Sequence, residues 1–146
     1  MKVRYMIFIL IIIIIIAIVT IYYHLNVKYI YQFKANWNLS IPKSDKVIFE
    51  KKKDVSFNGD GEQYFVLEYN NSSKIEKLKE NINWENSKNI ELENEILELL
   101  DYMKIPKENI PDFNNEYLHY SYKKADFTRI YLIYINQKIY IIEQIT

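Results

Sequence analysis

From Tyr5 to Tyr23 the chain runs nineteen residues in which Thr20 is the sole member outside the apolar and aromatic set, and no charged residue occurs between Arg4 and Lys28. Ile11 through Ile16 are consecutive. As a helix rising about 1.5 Å per residue, this run is about 28 Å long, close to the ~30 Å hydrocarbon core of a bilayer. It is apolar on every side, and the remaining residues are too few to wrap such a helix in water. In a bilayer each central isoleucine favours insertion by about 0.3 to 0.6 kcal/mol. The expectation is a transmembrane anchor.

A cleaved signal also starts with basic residues and an apolar core, but that core is normally ~7 to 15 residues and ends at small residues. Here the exit reads Val19-Thr20-Ile21-Tyr22-Tyr23-His24, which is bulky, and the chain has no cysteine for lipid modification. The reading is an uncleaved signal anchor. Lys2 and Arg4 crowd one flank while Lys28 and Lys34 are sparse on the other, which places residues 1–4 in the cytoplasm and the C-terminal part outside. Tyr22, Tyr23, Tyr29, Tyr31, Phe33 and Trp37 are read as an interfacial aromatic belt on a helix that outruns the bilayer. Residues 5–23 are thus the anchor, 24–40 a juxtamembrane segment and linker, and 41–146 one domain.

The segment after the anchor holds 17 basic and 19 acidic residues, a net of −2, which argues against nucleic acid as a partner. With two glycines and three prolines it is not a disordered tail. Lys46–Glu50 and Gln63–Tyr69 read as strands. A helix is expected after Asn70-Asn71-Ser72-Ser73, with Ser73 and Glu76 as a capping box. A second is expected over Asn89–Met103, where Leu92, Ile96, Leu99, Leu100 and Met103 share one stripe and Pro106 follows. Glu116–Tyr122, Phe127–Ile135 and Lys138–Ile145 read as three more strands, the last two joined at Asn136-Gln137. The fold class is α+β: a transmembrane helix, then a small antiparallel sheet with two helices on one face, in the order ββααβββ.

Chemistry is harder to find. His119 and Ser121 share a strand face, but residues i and i+2 on a strand lie about 6.5 to 7 Å apart, too far for a nucleophile–base hydrogen bond. His119 is read as structural. No nucleophile elbow or zinc-helix motif occurs. Asn58, Asp60 and Glu62 alternate oxygen ligands, but the sixth and twelfth positions of a calcium loop are here Gln63 and Asn70, so that pattern fails. Accordingly no catalytic residue, cofactor or metal site is nominated. The loop Asn58-Gly59-Asp60-Gly61-Glu62 is a candidate interaction loop, or simply a turn that needs glycine. Glu91, Glu95 and Glu98 form an acidic helix side read as solvated, and Lys51-Lys52-Lys53 a solubilised strand end. Tyr117, Tyr120, Tyr122, Tyr131, Tyr134 and Tyr140 are a candidate interaction surface on the sheet, although abundant Ile, Asn, Lys and Tyr point to AT-rich coding that inflates such counts.

The anchor, Ile41-Pro42-Lys43, the Ser56–Glu62 loop and Tyr64-Phe65-Val66-Leu67-Glu68-Tyr69 together resemble small, functionally uncharacterised N-terminally membrane-anchored proteins of low-GC Gram-positive bacteria. That resemblance implies a location in the cell envelope and transfers no site residue. The expected function is a single-pass binding or interaction domain at the outer face of the cytoplasmic membrane, with the bilayer and an envelope protein or polymer as partners. Alternatives are an enzyme on an envelope polymer using Asp60 or Glu62, and an accessory or immunity-type membrane subunit. Among Gly and Ala the anchor has Ala17 alone, which argues against a helix-packing role.

Overall fold

The computed structural model describes residues 2–53 and 61–145. The chain divides into two compact units, Met1–Ile41 and Pro42–Thr146. The first is a single helix, α1 (Lys2–Trp37), of 36 residues. Tyr5–Tyr22 within it has mean hydropathy 3.1 and none of it is buried. By length and composition this stretch can sit in a bilayer, as a signal anchor or a signal peptide would. Its one aliphatic hydroxyl is satisfied internally, because Thr20 Oγ1 donates to the Ile16 carbonyl at 2.8 Å. The helix ends before Pro42: Asn38 takes a left-handed conformation (φ 55°) and its N–H closes on the Lys34 carbonyl at 3.0 Å.

The second unit is α+β. Its elements are β1 (Lys46–Lys53), β2 (Gly61–Glu68), α2 (Ser72–Asn81), α3 (Ile90–Tyr102), a 3₁₀ turn (Lys107–Asn109), β3 (Leu118–Lys123), β4 (Arg129–Ile135) and β5 (Lys138–Ile145). All neighbouring strands are antiparallel, in the order β1-β2-β5-β4-β3. The last strand therefore inserts at the centre, with Tyr64 opposite Ile142 and Leu67 opposite Ile139. The β4–β5 turn uses left-handed Asn136 (φ 48°) and Gln137 (φ 65°), the geometry that matches strand twist in a two-residue hairpin.

Residues 63–67, 130–133 and 139–143 are buried without alternation. Such continuous burial means that both sheet faces are covered. Tyr64, Val66, Tyr131, Ile133, Tyr140 and Ile142 pack with Leu92, Ile96 and Leu100 of α3 and with Met103, which caps it. The two helices do not share that face as the sequence predicts. Tyr134 alternates with Ile133 and Ile135 and so points the other way along β4. It is there that α2 and its exit arrive, with the Lys79 ammonium 5.3 Å from the Tyr134 ring centroid and the Trp84 ring 6.3 Å away. A central sheet apolar on both sides needs cover on both, which the single-face expectation leaves out.

Caps fix the helix ends. Asn89 accepts from the Leu92 N–H at 3.0 Å. Asn71, two residues ahead of the predicted Ser73, caps α2 by accepting from the Lys74 N–H at 3.3 Å. At the far end of α3, Lys104 (φ 53°) donates to Asp101 O and Ile105 to Leu100 O, the paired bonds of a Schellman motif with Ile105 and Leu100 both in the core. The helix stops through this motif, ahead of Pro106. Two lysines of the basic run complete it: Lys51 Nζ donates to Lys104 O at 3.0 Å and Lys53 Nζ to Tyr102 O at 2.8 Å. α3 has acidic Glu91 and Glu93 in its first turn and no basic residue in its last, so β1 supplies the cation that its dipole lacks.

Two outcomes check this packing. Leu100→Ala, at a fully buried position, is expected to cost about 2 to 5 kcal/mol in denaturant unfolding, whereas exposed Leu97→Ala stays within about 0.5 kcal/mol. Lys53→Ala is expected to cost about 0.3 to 1 kcal/mol, a loss that shrinks as salt screens the helix dipole.

Candidate functional site

Four separate segments converge at the sheet end that carries the Asn136–Gln137 turn. The strap after α2 runs alongside the outer edge of β3, where Glu85 and His119 exchange backbone hydrogen bonds of 2.8 Å in each direction. This closes part of an edge that would otherwise be open to pairing. His119 belongs to this closure: its ring is buried, and Nε2 lies 3.0 Å from the Ser87 carbonyl. A carbonyl only accepts, so Nε2 carries the proton. Nδ1 is buried with no hydrogen-bond partner, and Ser121 is exposed. The His119–Ser121 pair therefore does not form, as the strand spacing predicts.

Tyr117 ties the same region to α3. Its hydroxyl accepts from the Asn89 N–H at 2.9 Å and donates to Glu93 Oε1 at 2.8 Å, and its ring packs edge-on against Phe113 at 5.3 Å. Burial, the larger cause, and the Glu93 carboxylate both push the phenol's pKa up, so it is held as a donor. The turn after Phe113 is organised by Asp112. Its carboxylate accepts from Asn114 N at 3.1 Å, Asn114 Nδ2 at 2.8 Å and Asn115 Nδ2 at 2.9 Å.

Between these parts lies an open cleft of about 560 Å³, lined by Lys79, Asn86, Lys88, Phe113, Asn114, Asn115, Glu116, Tyr117, Leu118, Tyr134 and Asn136. Its volume falls within the ~300 to 1,000 Å³ range of small-molecule sites. Four amides and two ammonium groups stand beside Phe113, Tyr117, Leu118 and Tyr134 in the lining, and among the described residues Glu116 is its one carboxylate. No lining histidine, serine or cysteine is present to act as base or nucleophile.

A second, shallower groove runs between α3 and the end of the sheet where Arg129 of β4 pairs with Gln144 of β5. There Arg129 pairs with Glu95 and donates to the Tyr131 hydroxyl at 3.2 Å. The hydrogen bond with Tyr131, then the charge of Glu95, hold the guanidinium's pKa above its ordinary value. The acidic helix side is thus partly neutralised: Glu95 meets Arg129, Glu93 meets Tyr117, and Glu91 and Glu98 are exposed. Exposed Phe127 with left-handed φ 69° and the Lys123 ammonium 4.7 Å from its ring stand at the β3–β4 tip.

The six tyrosines do not form the expected surface. Tyr117, Tyr131 and Tyr140 are buried on the α3 side, Tyr120 and Tyr134 are half-buried on the other side, and Tyr122 is exposed at 52%. Alternation along strands buried on both faces divides the set. Of the candidate loop, Asn58, Gly59 and Asp60 lie outside the described residues. Gly61 has φ 134° and Glu62 is half-buried, opposite Lys53 on β1 and Gln144 on β5. A positive φ at Gly61 is one that glycine adopts without strain. Among the described residues no group of three His, Cys, Asp or Glu is placed to hold a metal ion. No protein-family model, curated protein or solved structure matches this chain.

Sequence reasoning missed Asp45, which locks the start of α2 and hence Lys79. Its carboxylate accepts from the Asn70 and Asn71 N–H groups at 2.8 and 3.2 Å and pairs with Lys74. The Lys74 hydrogen bond, then the Asn70 N–H, hold its pKa below the model-compound 3.8. A depressed folded-state pKa stabilises the fold above the unfolded value, and that contribution is lost as pH falls through the folded one. Acid unfolding followed by circular dichroism is expected to show this loss below about pH 4. Asp45→Asn is expected to be less stable at neutral pH and to show a flatter acid limb; parallel acid limbs would contradict the role of this carboxylate.

Proposed function

We propose that the protein is a recognition module tethered to the membrane by α1, with the α+β unit on the outer face of the cytoplasmic membrane and an envelope component as its ligand. The observation that carries this reading is the wholly exposed Tyr5–Tyr22 stretch, a surface that water does not tolerate and a bilayer does. Its bulky exit at Tyr22 and Tyr23 favours retention over cleavage. Lys2 and Arg4 ahead of the run favour an outside C-terminus. The cleft supports a binding role, because its lining offers hydrogen-bond partners and cations. The resemblance to anchored proteins of low-GC Gram-positive bacteria agrees with an envelope location.

Reporter fusions at Thr146 test the tether and its orientation together. Alkaline phosphatase, which folds only outside the cytoplasm, is expected to be active, and a cytoplasmic fluorescent reporter dark. The reverse pair of results would place the domain inside and remove envelope ligands from consideration.

A further inference from the structure

We propose that the cleft beside the Asn136–Gln137 turn binds an anionic saccharide, a sugar chain bearing carboxylate or phosphate groups. This rests on the recognition-module reading and names the ligand of its site. A sugar hydroxyl both donates and accepts, so a site for neighbouring hydroxyls needs donors and acceptors side by side, as a side-chain amide offers them. The cleft has four amides, from Asn86, Asn114, Asn115 and Asn136. Two of them are pre-set: Asp112 holds the Nδ2 groups of Asn114 and Asn115, which leaves each amide oxygen directed away from it as an acceptor. Fixing those rotamers before binding removes an entropic cost of association.

The charged part of the ligand follows from Lys79 and Lys88, two exposed ammonium groups against the single carboxylate of Glu116. An ammonium is a compact charge with three rotatable donors, suited to a carboxylate or phosphate whose orientation varies along a polymer. Tyr134 adds an aromatic surface beneath the Lys79 ammonium, which the ring attracts from 5.3 Å. Residues 42–146 hold 15 basic and 19 acidic residues, a net of −4, so most of this unit repels a polyanion and the two lysines select where one docks. A neutral glycan leaves both cations without partners. A lipid tail leaves the four amides as well as the cations unused.

Calorimetric titration of the full-length protein in nanodiscs of zwitterionic lipid tests the assignment. The probes are oligogalacturonate, a phosphomannan oligosaccharide, neutral maltohexaose, and polyglutamate as an anion without sugar. Saturable binding is expected for an anionic saccharide, at least tenfold weaker for maltohexaose and for polyglutamate; the tighter of the two anionic probes tells carboxylate from phosphate. Lys79→Gln with Lys88→Gln is expected to weaken binding at least tenfold and to flatten its salt dependence. Asn136→Gly keeps the left-handed turn, so it is expected to lose affinity severalfold with its unfolding midpoint retained. Absence of binding to both anionic saccharides, equal binding of polyglutamate, or full affinity in the double lysine variant would overturn the proposal. Undiminished retention of that double variant on isolated envelope polymer would do so as well, while leaving the recognition-module reading intact.

Discussion

Pairing of β2 with β5 is the contact on which the α+β unit depends. Gly61–Glu68 meets Lys138–Ile145 in an eight-residue antiparallel ladder, and the chain between them holds both helices and the β3–β4 hairpin. Closing a loop of that length costs conformational entropy before any contact repays it, so the ladder must be strongly favourable once formed. Its residues supply this. Tyr64 to Leu67 and Ile139 to Ile142 are buried on both faces, and each fully buried large side chain contributes roughly 1.5 to 3 kcal/mol. With β5 held at the centre, β4 pairs along its free side, and the Asn136–Gln137 turn is fixed at one end of the sheet. The cleft is a consequence of that closure, since its walls come from the α2 exit, the turn after Phe113, the start of β3 and the β4–β5 turn.

Much of this was legible locally. The expected Asn89–Met103 span brackets α3 by one residue at each end because Asn89 caps it and the apolar stripe closes at Met103, although Pro106 is not what stops it. β5 matches Lys138–Ile145 because an Asn-led two-residue turn precedes an apolar run. The errors have physical causes. Asn71 outcompeted Ser73 as the α2 cap because the Asp45 carboxylate holds the N–H groups of Asn70 and Asn71 and so sets where the helix begins. β3 starts at Leu118, two residues late, because Tyr117 is used to tie Asn89 and Glu93. Lys51 and Lys53 looked like a solubilising run, yet they reach carbonyls about fifty residues away at the end of α3.

The site was the least legible part. Lys79, Lys88, Asn114 and Asn136 share no motif and no short spacing, and only the long-range ladder brings them to one cleft. The tyrosine surface failed for a related reason: an apolar run such as Ile130-Tyr131-Leu132-Ile133 reads as amphipathic if tyrosine is scored polar, and as buried on both sides if it is scored aromatic. The structure takes the second option, with each buried phenol drawn into the interior. Tyr64 shows how this is accommodated, as its hydroxyl donates to the Asn109 carbonyl at 2.6 Å while burial drives its pKa far above the ordinary value.

As proposed above, the exposed apolar helix is a retained membrane anchor for the α+β unit. Intact-mass analysis of the protein recovered from carbonate-washed membranes tests this. A retained anchor gives a species of 17.8 kDa in the membrane pellet, with the Tyr5–Tyr22 stretch still attached. A shorter species lacking that stretch, released into the soluble fraction, would contradict it.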